Sequence, residues 1–318
     1  MIKKKKCLII ISLLMLLLFM TSCNPKKSNT NGELPSKSVN GVKNRAKDEG
    51  KILTEFNKIA SENKEPYEIA HFIDENISVV SKDGALEMIE KFEQIQESYI
   101  ESYSDKLFKD DRQVVLNRVS DKGKLDMDKI NSIEDEEFKK FLDTLLEGKY
   151  KLSNIEGAFY PVIDYSKYKE YNKYLPEEMV GYIEIKNIEE ENPFLIGTSL
   201  VITWDELGDR IIAVEEYLRK YPDTVKIEDM LKLYGDYLLI YLQGVKDTQN
   251  YDYDTKVVYD DVIASYKKLV SENKNSITKD IVEKYLEVLE ENENKMNEEV
   301  EGKIVDLYNE AISRLEEL

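Results

Sequence analysis

The chain has 318 residues, enough for one large domain or two small ones, with 64 acidic against 45 basic side chains and a net charge of −19. That balance excludes nonspecific nucleic-acid binding, which needs clustered Lys and Arg against phosphate, and it opposes docking on anionic headgroups or other polyanions. A single histidine and two cysteines leave little for nucleophilic or metal chemistry.

Lys3, Lys4, Lys5 and Lys6 precede an apolar run, Cys7 to Met20. At about 14 residues the run is too short to span a bilayer and reads as the core of an export signal. It ends in Met20-Thr21-Ser22-Cys23, which resembles the lipobox of bacterial lipoproteins, with Met20 where Leu is usual. The resemblance implies that residues 1–22 are a signal peptide and that Cys23 becomes the lipidated N-terminus, carrying diacylglycerol and palmitate. Two or more acyl chains make a stable anchor, so the expected place is the cell membrane, on its extracytoplasmic face. With Cys7 removed and Cys23 lipidated, no disulfide, thiol nucleophile or cysteine metal site remains.

Residues 23–42 read as a disordered tether, because Asn24 to Val42 is polar and rich in Ser, Asn, Lys, Gly and Pro. Extended, that stretch reaches roughly 60 Å. Residues 43–148 form an N-terminal helical region. Phe56 and Ile59 mark a first helix, and Pro66 opens a second. Leu86 to Tyr103 traces a long third. Ser132 and Asp135 suggest a capping box before a helix through Phe138, Leu142 and Leu145, which Gly148 can close. The acidic loop Asp121–Asp128 fails the calcium-loop template: its glycine comes third, and Ser132 stands where the chelating Glu belongs.

Residues 149–193 form a Tyr-rich connecting region, with a short extended or β segment near 150–163. Tyr165, Tyr168, Tyr171 and Tyr174 recur every third residue. On an α-helix such steps drift around the axis, so the four spread over about half the circumference. They cannot then share one core face. They read either as an aromatic binding surface for sugar faces or a peptide, or as inter-helix packing with hydroxyls reaching water. A helix from Pro176 ends at Asn192-Pro193, and Glu189-Glu190-Glu191 opposes its dipole, as expected of a solvated end.

Residues 194–318 read as helical hairpins. Thr203-Trp204 opens one helix, Tyr221-Pro222-Asp223-Thr224 a second, Ser276 another, and a last begins near Glu298. The Tyr-Pro-Asp-Thr turn resembles the turn of tetratricopeptide-like repeats, without their 34-residue period. That resemblance implies helical hairpins only. As a whole the chain resembles uncharacterised surface lipoproteins of Gram-positive bacteria, which implies no activity.

No catalytic residue, metal site or cofactor site is read from the sequence. His71 is the sole histidine, and Gly197-Thr198-Ser199-Leu200 lacks the second glycine of a nucleophile elbow. The most suggestive acid group is Asp252, Asp254, Asp260 and Asp261, interleaved with Tyr251, Tyr253 and Tyr259. A glycosidase would need two such carboxylates across a sugar; a solvated loop that caps the next helix needs nothing more. The expected protein is mainly α, with helical hairpins in an α-solenoid-like arrangement. The expected function is non-catalytic binding or scaffolding of an envelope protein or glycan. The alternatives are solute capture for a transporter, which normally needs two α/β lobes, and an acid-pair envelope hydrolase.

Overall fold

The computed structural model describes residues 37–121 and 123–318. Cys23, the signal-like segment and the tether up to residue 36 lie outside the described residues. Helix α1 (Lys37–Ser61) begins ahead of Lys43, inside the stretch expected to be tether. Pro66 opens α2 (Pro66–Asn76) as expected, and the Glu68 carboxylate reaches back to the Glu65 N–H at 3.2 Å. A 3₁₀ turn, Ile77–Val79, leads to α3 (Lys82–Leu107), which Ser81 caps through the Gly84 N–H.

Short pieces follow: α4 (Arg112–Arg118), β1 (Ser120–Asp121), β2 (Lys124–Leu125) and α5 (Met127–Ile130). The acidic loop is therefore a small hairpin, and Asp126 caps α5. Asp135, not Ser132, caps α6 (Glu136–Glu147), accepting from the Phe138 N–H at 3.0 Å. Ser132 donates backwards to the Lys129 carbonyl instead. The expected β segment is a hairpin of β3 (Tyr150–Ile155) and β4 (Ala158–Ile163). Glu156 and Gly157 both take positive φ in its two-residue turn, which matches the strands' right-handed twist. The hairpin packs on α3, α4 and α6.

The Tyr-rich stretch forms α7 (Tyr165–Tyr168) and a 3₁₀ helix, Lys169–Tyr174. Helix α8 (Glu177–Glu191) and the hairpin β5 (Leu195–Ile196) with β6 (Ser199–Leu200) lead into α9 (Trp204–Lys220) and α10 (Ile227–Gln243). Thr203 caps α9 as expected. Thr224 does not cap α10: its hydroxyl meets Tyr217, and the helix starts after Lys226, leaving Val225 exposed. The chain ends with α11 (Asp260–Glu272), α12 (Ile277–Glu291) and α13 (Glu298–Glu316).

In this last region α9 packs on α10 and α11, α12 on α11, and α13 on both α12 and α10. α9–α10, α11–α12 and α12–α13 pair as sequence-adjacent hairpins, and α9–α11 with α10–α13 close the set into a ring. Glycines permit two of the close approaches. A Cβ on Gly235 of α10 would lie 2.7 Å from the Tyr308 hydroxyl of α13, and one on Gly208 of α9 would lie 3.1 Å from both Leu269 and Tyr241. Asn44–Leu318 forms one compact unit. The described strands are three two-stranded antiparallel pairs on a mainly helical frame. No described helix is long and apolar enough to cross a membrane.

Candidate functional site

The tyrosine run does not form a surface. Tyr165, Tyr168 and Tyr171 are buried, and Tyr174 packs against the core at its margin. The expectation of an aromatic platform fails because the segment is largely 3₁₀, not α. With three residues per turn, positions 168, 171 and 174 eclipse on one face. The rings then meet in a chain, Tyr165–Tyr168 at 5.5 Å and Tyr168–Tyr171 at 6.1 Å between centroids, and Phe92 of α3 stacks on Tyr168 at 5.8 Å.

Their hydroxyls meet polar groups of α3 and α2. Glu93, 1 % exposed, accepts from Tyr165 and from Tyr182 at 2.6 Å, and its other oxygen takes the Lys226 ammonium at 2.5 Å. Gln96 accepts from Tyr168 and donates to the Gly148 carbonyl at 2.8 Å. Tyr171 donates to Asp74 at 2.6 Å. Desolvation pushes the Tyr165, Tyr168 and Tyr182 phenols well above their ordinary range, and the nearby Glu93 charge adds to it. These phenols stay protonated. Desolvation alone would lower the Lys226 ammonium, but the acids around it, Glu93 foremost with Asp229 and Glu90, more than offset this and raise it. The hub is sealed, fully donated and structural.

At the acidic end of α8, Glu191 is exposed, but Glu189 and Glu190 are not solvated. Glu189 pairs with Arg210, which also holds Glu206 at 2.7 Å and the Asn192 carbonyl at 2.8 Å. Glu190 accepts from the Tyr165 N–H at 3.0 Å and faces Lys151 at 3.1 Å. Burial nevertheless pushes its carboxyl up to about 7. Sequence reading missed these pairings because Lys151 and Arg210 lie far along the chain. Another buried acid, Glu215 of α9, caps α12 from outside the helix. It accepts from the N–H groups of Ile277 at 2.7 Å and Thr278 at 2.8 Å, and from the Ser276 and Thr278 hydroxyls.

Two of the four acids in the acid–tyrosine group have structural roles, and Asp254 and Asp260 are exposed. Asp252 accepts from the N–H and hydroxyl of Thr255, both at 2.8 Å, which lowers its carboxyl and closes a turn. Asp261 bonds the Val262 N–H at the start of α11. Tyr251 pairs with Val258 across this turn, and Lys256 lies over the rings of Tyr251 and Tyr253. Tyr253 is 69 % exposed, the most exposed large hydrophobic side chain described. His71 is exposed on α2, 3.7 Å from Glu147. Among the described residues, no group of three or more His, Cys, Asp or Glu side chains is placed to hold a metal.

Beside Tyr251 lies an open cleft of about 570 Å³, between the β5–β6 hairpin, the C-terminal end of α10 and the approach to α13. This volume is within the range of small-molecule sites. Leu195, Ile240, Val245 and Met296 supply its apolar lining; Thr198, Gln243, Lys246, Gln249 and Glu301 supply the polar part. Its walls are tied together. Thr198 donates to Asp247, the Asp247 N–H returns to the Thr198 carbonyl at 3.1 Å, and the Leu200 N–H meets the Thr248 hydroxyl at 3.1 Å. Gly244, at φ 74° and with no room for a Cβ, turns the chain sharply out of α10 to form this wall. The sequence signal was weak: a glycine after an apolar helix, then amides and a tyrosine.

No family model matches this chain, and no curated protein or solved structure does.

Proposed function

We propose that this chain is a lipid-anchored, non-catalytic binding or scaffold protein of the bacterial envelope, held through Cys23 on the extracytoplasmic face of the membrane. The anchor rests on the lipobox-like Met20-Thr21-Ser22-Cys23 after a short apolar run. The observation that carries the binding role is the preformed cleft beside Tyr251, walled by cross-bonded backbone and lined by both apolar and polar side chains. Two of the four acids that an acid-pair hydrolase would draw on are engaged, Asp252 in a turn and Asp261 at a helix start, while Asp254 and Asp260 are exposed. Solute capture by two α/β lobes finds no support in the described strands, which are short antiparallel pairs.

The test is made in cells with the full chain. Metabolic palmitate labelling and membrane fractionation are compared for wild type and Cys23→Ala; the label and the membrane pool should both disappear in the variant. Crosslinking in intact cells, followed by mass spectrometry and by retention on purified cell wall, then identifies what the domain holds. Unchanged labelling in Cys23→Ala would sink the anchor, and a chain that neither crosslinks nor is retained would sink the scaffold role.

A further inference from the structure

The cleft beside Tyr251 differs from the other large clefts in carrying two glutamine side chains, Gln243 and Gln249, where the polar side chains lining the others are mainly charged. In the cleft at the start of α12, Arg219, Asp280 and Arg314 are already bonded to one another or to neighbouring backbone. Beside Tyr251, the side chains of Gln243, Lys246, Gln249 and Glu301 have no hydrogen-bond or ion-pair partner among the described residues. They are free to meet a ligand. The charges cancel, one ammonium against one carboxylate, on a chain whose net charge is −19. An ionic ligand would find no unbalanced partner here.

What remains is amide, aromatic and apolar surface. A glutamine amide offers both a donor and an acceptor. An acetamido group needs one of each, with an apolar contact for its methyl, which Val245 and the buried Met296 can provide. Tyr251 offers ring surface of the kind that takes the C–H face of a sugar. We propose that this cleft binds a neutral, N-acetylated saccharide, with Gln243 and Gln249 pairing to the acetamido group or hydroxyls and Tyr251 packing on a ring. This rests on the reading of the chain as an envelope-binding protein and names the chemistry of its ligand.

The experiment is titration calorimetry of the full chain with triacetylchitotriose and, in parallel, with maltotriose, which has the rings but not the acetamido groups. Saturable binding of the first, at least about tenfold tighter than the second, is expected. Gln243→Ala and Gln249→Ala remove side chains with no intramolecular partner, so both variants keep the wild-type Tm. Each should weaken binding about two- to tenfold, the loss of one or two hydrogen bonds. Absence of binding, equal affinity for both sugars, or affinity unchanged in both variants overturns the assignment. The titration does not depend on lipidation, so failure of the Cys23 anchor and failure of this site are separate results.

Discussion

At the scale of single residues, burial decides which groups respond to pH. Glu190 titrates near 7 in the folded chain, against an ordinary 4.5, because desolvation outweighs Lys151 and the Tyr165 N–H. A raised carboxyl means that the folded state holds a proton which the unfolded state has released. Its contribution to stability is therefore complete below about 4.5 and is lost as pH rises through about 7. Urea unfolding followed from pH 5 to 8 should show this loss, on the order of 3 kcal/mol at most, and Glu190→Gln should flatten it. An identical slope in the variant would assign the dependence elsewhere. Tyr168 makes the opposite point about apparent function. Its ring is fully buried against Phe92, so Tyr168→Ala should cost about 3–5 kcal/mol by urea unfolding, through the cavity it leaves and the exposed Gln96 acceptor. A near-neutral Tyr168→Ala would return the ring to the surface.

At the scale of elements, a cap supplied along the chain can be reinforced from across the fold. The capping residue expected from sequence at α12, Ser276, is present and accepts from the Lys279 N–H. Glu215, sixty-odd positions earlier, accepts two further N–H groups and both hydroxyls. Glu215→Gln can satisfy fewer of these donors and removes the charge at the positive end of the helix. A loss of about 2 kcal/mol is expected, with faster hydrogen exchange at Ile277 and Thr278 than at the middle of α12. Unaltered exchange there would mean that Ser276 alone holds the end. The 3₁₀ segment shows the same dependence on geometry. The period-3 tyrosines were legible, but the helix type that turns period 3 into one face was not.

At the scale of the whole molecule, the pair Glu93–Lys226 joins α3 to the start of α10 across 133 positions of chain. Lys226→Met strands a buried carboxylate with only phenol donors and should cost about 3–5 kcal/mol, most of it recovered in Glu93→Gln/Lys226→Met, where no charge remains. Failure of the double variant to recover would mean that Lys226 acts through its packing on Tyr182. Asn44–Leu318 is one compact unit, so the fluorescence of Trp204, the sole tryptophan, should report the same urea midpoint as far-UV circular dichroism. Two midpoints would divide the unit.

Much of the helical frame was written in local patterns. Pro66, Ser81, Thr203 and Ser276 start helices where they stand, and the apolar spacing of α3, α9 and α13 marks the faces that are buried. These signals are local because a cap or an amphipathic stripe is set by residues three or four apart. The lipobox-like segment is equally local, and it alone carries the expected anchor. What tertiary structure decided is where polar and aromatic groups go. The tyrosines that composition left open to wet contacts are largely core, their hydroxyls spent on partners such as Glu93, Gln96, Thr278 and Ser265. The cleft beside Tyr251 joins residues from 195 to 301. Burial and pairing of this kind depend on which distant segments meet, and no periodicity within a single helix records that.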